Sequence, residues 1–486
     1  MAEAPKVQVD QEVLAPYLVD ESGFRGDADG LVRTGDPLEI AALMRAASAR
    51  GTPVTFSARR TSLTGAAIPA GGLVIALPED SSPDLVRVDR AAAQATSPAR
   101  VLVSDVEGAA EAAGFFFAPD PTSRKTSSIG GAVACNASGA RSFGFGPTGA
   151  WVDGLVVVLA SGDVLDLKRG QHPPVDGFFE VGGLRIPCPP PRRVDLKNSL
   201  GYSVDPQHPD LIDLFVGSEG TLGYIHEVTM RLLPRQEIFA ALVFWHDLTP
   251  ALDFVERLQA GVPGLTPMSV EWFDQASLAL ASARHPRLGV TADAVAALFV
   301  EQRHEKGAED AVAAAWYEAL LEAGAPDDDT ALRIARNRKD IELFRDFRHA
   351  VPESINALAR SRGLRKLGTD LAYPRGWLHR MVAHYTEAVA QSGLDAAAFG
   401  HIGDNHLHLN LLPKDLAEAE TGKALYQALA LHCASVGGAI SGEHGVGKSK
   451  AAMLARTTAP EVLAAMRAVK DVLDPAGILG RGNIFG

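Results

Sequence analysis

Two glycine-flanked segments near the carboxyl end of the chain concentrate imidazoles and a carboxylate. Residues 399–410 read FGHIGDNHLHLN, and residues 441–447 read SGEHGVG. Two imidazoles and one carboxylate form a ligand set suited to Zn²⁺, Mn²⁺ or Fe²⁺, with coordination positions left open for a substrate. The candidate ligands are His401, His408 and Glu443. The pattern therefore predicts a metal site, with His444 beside it as a base.

Polar and apolar residues alternate from residue 405 onward, which predicts a β-strand. One face of that strand carries His406, His408 and Asn410, and the other face carries three leucines. The alternative is that each histidine is a hydrogen-bonded core or surface residue, as most single histidines are. Because these histidines cluster with a carboxylate, the metal site is the favoured interpretation.

The composition limits the class of protein. A chain of 486 residues exceeds what one hydrophobic core usually organises, so two lobes are expected. The formal net charge of -13 argues against nucleic acid or an anionic membrane surface as a main partner. An anionic substrate would therefore need a local cluster of positive charge.

The cysteines and the start of the chain indicate a compartment. Cys135, Cys188 and Cys433 are far apart and form no Cys-x-x-Cys pair, so neither a disulfide framework nor an iron-sulfur cluster is indicated. The sequence shows no signal peptide pattern and no apolar run of about 20 residues. We expect a cytoplasmic protein without a transmembrane segment. Peripheral attachment at the inner membrane and a homodimer are left open.

The first half of the chain indicates an α/β opening followed by glycine-rich segments. Residues 36–50 predict a helix, and residues 53–56 and 73–77 predict strands. The polar turn at 59–65 can hold a phosphate. Small residues at 128–139 fit either a cofactor lying against the backbone or a tight helix crossing.

Further elements are predicted along the rest of the chain. Strands are expected at 151–160, after 223 in a pair ending at 234, and at 238–245. Residues 171–193, rich in Pro and Gly, form a connection. Helices are expected at 249–260, 308–324 and 375–392, and a final one ends at Asp474.

Eight segments carry a resemblance to a known family. They are 119–123 (PDPTS), 129–131 (IGG), 136–139 (NASG), 201–202 (GY), 217–223 (GSEGTLG), 400–404 (GHIGD), 441–445 (SGEHG) and 481–485 (RGNIF). In this order they resemble the FAD-linked oxidases of the vanillyl-alcohol oxidase and p-cresol methylhydroxylase superfamily. More narrowly, they resemble its D-2-hydroxyacid dehydrogenase branch, which includes D-lactate and D-2-hydroxyglutarate dehydrogenases and the glycolate oxidase flavin subunit.

The resemblance implies an α+β fold of two lobes. Residues 1–235 would form a PCMH-type FAD-binding domain. Residues 236–459 would form a substrate or cap domain, with an antiparallel sheet and helices. Residues 460–486 would return to the FAD-binding domain, and FAD would lie between the lobes.

The resemblance also implies noncovalent FAD, because neither histidine nor cysteine occupies the loop position used for covalent attachment in some relatives. One departure is the segment Ala58-Arg59-Arg60, which stands where two or three glycines are usual. These arginines can pair with the pyrophosphate instead. The residues implied to line or approach FAD are Arg59, Arg60, Thr61, Ser62, Leu63, Pro119, Asp120, Ser123, Gly130, Gly131, Asn136, Gly139, Glu219, Gly220, Gly223, Ile225, Asn410 and Asn483.

The implied reaction is oxidation of a D-2-hydroxy acid of the D-lactate, glycolate or D-2-hydroxyglutarate class to the 2-oxo acid. Hydride would pass to flavin N5 with assistance from the metal, and His444 would accept the hydroxyl proton. Arg348 would bind the substrate carboxylate, with Arg345 as the second choice. The alternative is that both arginines lie on a solvated helix face.

No Gly-x-Gly-x-x-Gly turn follows a first strand, so an electron acceptor other than NAD is expected. A quinone, a cytochrome, an electron-transfer flavoprotein, a partner iron-sulfur subunit and oxygen remain open. Two other functions also remain: an electron-relay subunit of a larger complex, and a non-redox flavin enzyme of the same fold.

Two further positions depart from the family pattern. His406 replaces the commoner asparagine, and it would either support the metal ligands or pack beneath the flavin as a spectator. Gly368 stands where some relatives place a substrate-binding lysine, and Lys366 is a candidate replacement.

Overall fold

A computed structural model of the chain describes residues 6–193, 195–291, 293–328 and 330–486. The protein combines helices with two larger antiparallel sheets and one small parallel sheet. The interpretation that residues 1–5 belong to no signal peptide lies outside the described residues. In the part of the chain that the structure describes, no helix is both long enough and apolar enough to cross a membrane.

The chain opens with a small parallel sheet and a helix. In chain order the elements are α1 Gln11–Leu14, β1 Gly30–Arg33, α2 Pro37–Arg50, β2 Val54–Ser57 and β3 Leu73–Ala76. Asp36 starts α2 by accepting the Leu38 N–H, and Gly51 ends it with φ at 64°. The strand order is β1-β3-β2, so the predicted α/β opening is confirmed and residues 58–72 connect two neighbouring strands.

A five-stranded antiparallel sheet follows. The elements are β4 Arg87–Asp89, β5 Gln94–Pro98, α3 Val103–Ala112, β6 Phe115–Phe116, α4 Ile129–Ala134, α5 Ser142–Phe145, β7 Val152–Val158, β8 Val164–Lys168, β9 Phe178–Val181, β10 Leu184–Pro187, α6 Ile212–Phe215, β11 Tyr224–Arg231 and β12 Leu233–Pro234. The sheet order is β4-β5-β11-β7-β8. The segment at 171–193, predicted only as a connection, contains the β9 and β10 hairpin.

The largest sheet has eight strands and is antiparallel throughout. Its region contains β13 Glu237–Trp245, α7 Leu248–Ala260, β14 Pro267–Asp274, α8 Gln275–Arg284, β15 Ala296–His304, α9 Glu309–Glu322, β16 Leu332–Ile334, α10 Arg338–Ser361, β17 Leu367–Gly368, β18 Leu371–Ala372, α11 Leu378–Ser392, β19 Ala396–His401, β20 His406–Leu411 and α12 Leu416–Ser435. The order is β16-β13-β15-β14-β19-β20-β17, and β18 also pairs with β20. The strand predicted at 238–245 and the helices predicted at 249–260, 308–324 and 375–392 are confirmed, with ends that differ by at most three residues.

The chain ends with two helices, α13 Ala451–Thr457 and α14 Pro460–Leu473, and a segment that contacts the opening sheet. Val54 N–H donates to the Ile478 carbonyl at 2.8 Å, and Asn483 donates its side-chain N–H to the Ala66 carbonyl at 2.8 Å. The last segment therefore packs against the first loops of the chain. The domain boundaries at 235 and 459 stay predictions.

Candidate active site

The histidines lie on β19 and β20, which a tight turn joins. In the antiparallel register His401 faces His406, and Phe399 faces His408. The three leucines that alternate with the polar residues of β20 are buried in the core. The predicted alternation is confirmed, and it places three imidazoles on one face of the strand pair.

Glu443 reaches this strand pair from the loop after α12 and contacts both predicted histidine ligands. Its Oε2 lies 3.2 Å from Nε2 of His401, and its Oε1 lies 3.0 Å from Nε2 of His408. Burial favours the neutral acid, but Lys197 and the histidines hold the pKa of Glu443 well below its usual range. The structure thus brings together an ionised carboxylate and two imidazoles.

These donors fit a divalent cation. One ring nitrogen of each of His401, His406 and His408 and one oxygen of Glu443 all lie within 4.8 Å of one another. Histidine ligands usually have their second ring nitrogen bonded to an outer acceptor. Nδ1 of His408 lies 3.1 Å from the Thr369 carbonyl, so Nε2 faces the site with its lone pair.

His401 has a carboxylate as its outer partner, which sequence reasoning missed. Glu271 on β14 is buried, and its Oε1 lies 2.6 Å from Nδ1 of His401. Burial lowers the pKa of His401, but the neighbouring Glu271 carboxylate raises it. The pKa of His401 therefore lies above its usual value. The sequence does place Glu271, a charged residue, inside a mostly apolar strand. Because a buried charge must have a partner, this position could have indicated a functional contact.

Arg348 on α10 is the second partner of Glu271. Its Nε donates to Glu271 Oε2 at 2.6 Å, and the residue is only 7% exposed. The alternative of a solvated helix face is therefore wrong for Arg348. Within the described chain Nε is the one atom of this guanidinium with a hydrogen bond in the structure, so both terminal amino groups remain for an anion. Arg345 pairs with Glu301 instead, at 2.7 Å.

Asp370 organises the loop that carries Glu443 and His444. Its carboxylate accepts the backbone N–H groups of residues 442, 443 and 444, each at 3.1 Å. It also contacts Nζ of Lys450 at 2.6 Å. Burial raises the pKa of Asp370, but His444 and Lys450 hold it well below its usual range. An ionised, buried carboxylate therefore fixes the position of this loop.

His444 occupies the accessible side of the cluster. Its Nδ1 lies 3.4 Å from Asp370 Oδ2, and its Nε2 lies 3.7 Å from Glu443 Oε1. Its ring stacks on that of His408, with centroids 5.5 Å apart. Partial burial lowers the pKa of His444 to about 4. The imidazole is therefore neutral near pH 7, as a proton acceptor must be.

Lys197 brings a buried positive charge to the same place, which sequence reasoning also missed. Its Nζ lies 3.0 Å from Glu443 Oε2 and 3.9 Å from a carboxylate oxygen of Asp404. Its side chain is only 6% exposed. The signal in the sequence was its place four residues before the Gly201-Tyr202 segment.

The predicted phosphate loop at 59–65 lies between β2 and β3. Arg59 donates to the Glu79 carbonyl at 2.7 Å, and Arg60 pairs with the Glu79 carboxylate at 2.8 Å. Both arginines therefore contact Glu79, and their pairing with a pyrophosphate stays a prediction. Ser62 Oγ accepts the N–H groups of Thr64 and Ala66, and Leu63 is exposed. No hydrogen bond through Thr61 appears in the described structure.

The small residues at 128–139 have two different environments. A Cβ on Gly130 would lie 2.4 Å from Cβ of Ala99, and one on Gly139 would lie 1.8 Å from the Asp120 carbonyl. Close packing against Ala99 and Asp120, which lie outside the helices, explains these two glycines, and the tight helix crossing is not what the structure shows at these positions. A Cβ on Gly131 would meet only the Ser128 hydroxyl, at 3.1 Å.

Asn136, Glu219 and Asn483 come together around the end of the chain. Asn136 Oδ1 accepts the Gly149 N–H, while its buried Nδ2 has no partner within the described residues. Glu219 accepts the N–H groups of residues 446 and 447, and Asn483 donates to the Glu219 carbonyl. Burial raises the pKa of Glu219 to about 7. The orphaned donor of Asn136 fits a dinucleotide.

The remaining predicted cofactor residues are spread more widely. Asp120 pairs with Arg124 at 3.1 Å, next to Pro119 in the chain, and Ser123 donates to Ser127 at 3.1 Å. Gly220 and Gly223 follow Glu219 before β11, which contains the buried Ile225. Asn410 donates to the His408 carbonyl, and its Oδ1 has no partner in the part of the chain described. Lys366 is half-buried, and desolvation lowers its pKa to about 8.

Two family models match the chain. One is described as the C-terminal domain of FAD linked oxidases and matches residues 234–484, more than half of the chain. The other is described as an FAD binding domain and matches residues 28–168. The resemblance predicted from the sequence is confirmed, whereas the roles of single residues are not tested by these matches.

Several curated proteins are similar over nearly the whole chain. The glycolate oxidase subunit GlcD of Bacillus subtilis is 29% identical over 95% of this chain and 90% of its own length. A D-2-hydroxyglutarate dehydrogenase of Xanthomonas citri is 30% identical, covering 93% and 88%. A D-lactate dehydrogenase of Anaerostipes hadrus is 28% identical, covering 99% and 95%.

Among solved structures, an alkyldihydroxyacetonephosphate synthase superposes with a TM-score of 0.66 at 14% identity. The alignment covers 98% of this chain and 82% of that one. At this identity the likeness shows the fold alone. The predicted fold class is confirmed.

Proposed function

We propose a reaction from one premise: this chain belongs to the family of FAD-linked oxidases. The reaction is oxidation of a D-2-hydroxyacid to the 2-oxo acid. The names of relatives that act on D-lactate, glycolate or D-2-hydroxyglutarate support this substrate class. The observation that carries the proposal is the Glu443 carboxylate between His401 and His408, with His444 beside it.

When bound, FAD accepts the hydride from C2 of the substrate, and Zn²⁺, Mn²⁺ or Fe²⁺ held by His401, His408 and Glu443 supplies Lewis acidity. The rest of the reaction falls to side chains. His444 accepts the hydroxyl proton at Nε2, the nitrogen turned toward Glu443. Asp370, 3.4 Å from Nδ1, stabilises the imidazolium that forms.

The substrate carboxylate needs positive charge in a protein with an acidic surface. Arg348 supplies it, because Glu271 holds the guanidinium by Nε and leaves the two terminal amino groups for a bidentate contact. Lys197 adds a second buried cation 3.0 Å from Glu443. Both residues position the substrate and do not themselves exchange protons with it.

Electrons leave the reduced flavin for an acceptor other than NAD. A quinone, a cytochrome, an electron-transfer flavoprotein and a partner iron-sulfur subunit are the candidates. The alternative function is that of an electron-relay subunit of a larger complex. A subunit that only passes electrons needs no cation at His401, His408 and Glu443. Substrate oxidation by the isolated chain with a dye as acceptor separates the two functions.

The experiment is a screen of D- and L-lactate, glycolate, D-2-hydroxyglutarate and bulkier hydroxyacids with the purified yellow protein and an artificial acceptor. We expect turnover of at least one D-enantiomer or glycolate, and release of intact FAD on acid precipitation. Turnover of no hydroxyacid by a protein that retains FAD would overturn the proposed reaction. Flavin that remains with the precipitate would overturn noncovalent binding.

A further inference from the structure

His406 is the imidazole of the cluster that the proposed reaction does not use. It is completely buried on β20, opposite His401 in the strand register. Its ring centroid lies 5.5 Å from that of His401 and 4.7 Å from that of His408. A ring nitrogen of His406 lies within 4.8 Å of the donor atoms of both histidines and of Glu443.

The hydrogen bonds of His406 fix its tautomer. Its Nε2 lies 3.0 Å from Oδ1 of Asp370. An ionised carboxylate can only accept hydrogen bonds. Nε2 of His406 therefore carries the proton, and Nδ1 carries a lone pair. Nδ1 is buried and has no hydrogen-bond partner within the described residues. A buried lone pair without a donor is the state of an imidazole that awaits a cation.

The two neighbouring histidines also have one ring nitrogen bonded to an outer partner. His401 bonds through Nδ1 to Glu271, and His408 bonds through Nδ1 to the Thr369 carbonyl. Each leaves its other nitrogen for the site. In His406 the nitrogens are exchanged, because its outer partner Asp370 lies at Nε2 and the nitrogen without a partner among the described residues is Nδ1.

We propose that His406 is a fourth protein ligand of the cation, through Nδ1, so that the site holds three histidines and Glu443. This proposal rests on the proposed function, which places a cation there. It goes beyond the three ligands that the sequence pattern predicts, and it gives the departure from the commoner asparagine a chemical consequence.

A fourth ligand restricts the metal that supports the reaction. Four protein donors complete a tetrahedron, which is the usual coordination of Zn²⁺. A 2-hydroxyacid that binds through its hydroxyl and one carboxylate oxygen needs two further positions. A cation that accepts six ligands, such as Mn²⁺ or Fe²⁺, provides them. Mn²⁺ or Fe²⁺ should therefore support turnover better than Zn²⁺.

X-ray absorption of the FAD-loaded protein with one equivalent of Mn²⁺ counts the bound imidazoles. We expect three in the wild type and two in His406→Asn, which restores the commoner residue. His432→Asn is the matched control, because the His432 ring contacts that of His384 in a separate histidine pair, with centroids 4.2 Å apart, and the count should stay at three. Competition titration should show that His406→Asn weakens Mn²⁺ binding at least ~100-fold, beyond the usual loss of an outer partner.

The outcomes separate this inference from the proposed function. Two imidazoles in the wild type overturn the fourth ligand whether or not the variant folds, and turnover that still depends on the metal leaves the reaction intact. An unchanged imidazole count in His406→Asn has the same meaning. A wild type that oxidises hydroxyacids without any stoichiometric cation overturns both the ligand and the metal site.

Discussion

Asp370 holds His444 twice: its carboxylate accepts the His444 backbone N–H at 3.1 Å and lies 3.4 Å from Nδ1 of the same residue. The first contact fixes the loop, and the second orients the ring. The opposite nitrogen, Nε2, therefore points toward Glu443. This geometry makes His444 the candidate base and makes Asp370 a residue that positions it.

His444→Asn tests the role of the base. Asparagine keeps a polar side chain of similar length but cannot accept the hydroxyl proton. We expect flavin reduction to slow by a factor of roughly 10² to 10⁴, the usual contribution of a positioned general base. Stopped-flow absorbance under anaerobic conditions measures it, with metal and FAD content as controls. Reduction at the wild-type rate with both retained would place the proton acceptor elsewhere.

The pH dependence of flavin reduction follows from the pKa of His444. Burial lowers this pKa to about 4, so the base is neutral and active above that value and is lost as the pH falls through it. We expect the rate constant to be constant from roughly pH 8 to pH 6 and to fall toward pH 4. A descent centred near pH ~6.5, the unperturbed histidine value, would show that the environment of His444 in solution differs from that described.

His408→Ala and Glu443→Gln test the metal ligands. His408→Ala removes one donor and Glu443→Gln removes the negative charge of another, and we expect elemental analysis to find no stoichiometric cation in either purified variant. His406→Ala also removes one donor under the fourth-ligand proposal but keeps the negative charge of Glu443, so its metal content should fall less than that of Glu443→Gln. His432→Ala, in the separate pair with His384, serves as control and should retain the metal. Full occupancy in His408→Ala would show that the cation is bound elsewhere.

Arg348→Ala has two expected effects. Loss of a charge-assisted contact to the substrate carboxylate should weaken substrate binding by about 2–3 kcal/mol. Loss of the ion pair leaves Glu271 buried and uncompensated, so the free energy of unfolding should fall by about 3–5 kcal/mol. Titration of flavin reduction with substrate and urea unfolding measure the two effects separately.

Arg345→Ala is the matched control for Arg348. Arg345 lies one turn earlier on α10 and pairs with the buried Glu301, so its loss should also lower stability. It should leave the substrate concentration needed for half-maximal flavin reduction unchanged. Equal increases in both variants would mean that the arginines stabilise the lobe and that Arg348 does not bind the carboxylate.

The alternation of β20 and the spacing of the two glycine-flanked segments carried the prediction of the site. In a β-strand, residues two apart lie on the same face, so His406 and His408 share a face independently of the tertiary structure. The approach of Glu443 to that face depends on tertiary structure, and local pattern gave only its residue type. The family resemblance supplied the link between the segments.

The partners of the site could not be predicted in the same way. Asp370, Glu271 and Lys197 lie 73, 172 and 246 residues before Glu443 in the chain, and no periodicity relates them to it. Their contacts arise because β14 neighbours β19 in the sheet and because the segment of Lys197 lies against the loop that carries Glu443. Arg59 and Arg60 are a further example, because the local sequence predicts a pyrophosphate contact for them but does not predict that Glu79 contacts both.

We have proposed that this chain oxidises a D-2-hydroxyacid at a cation held by His401, His408 and Glu443. Anaerobic stopped-flow reduction of the bound flavin, before chelation, after chelation and after restoring Mn²⁺ or Zn²⁺, tests it most directly. We predict that chelation abolishes reduction, that FAD stays bound, and that Mn²⁺ restores the rate. Reduction at the full rate by a protein shown to contain no stoichiometric metal would contradict the claim.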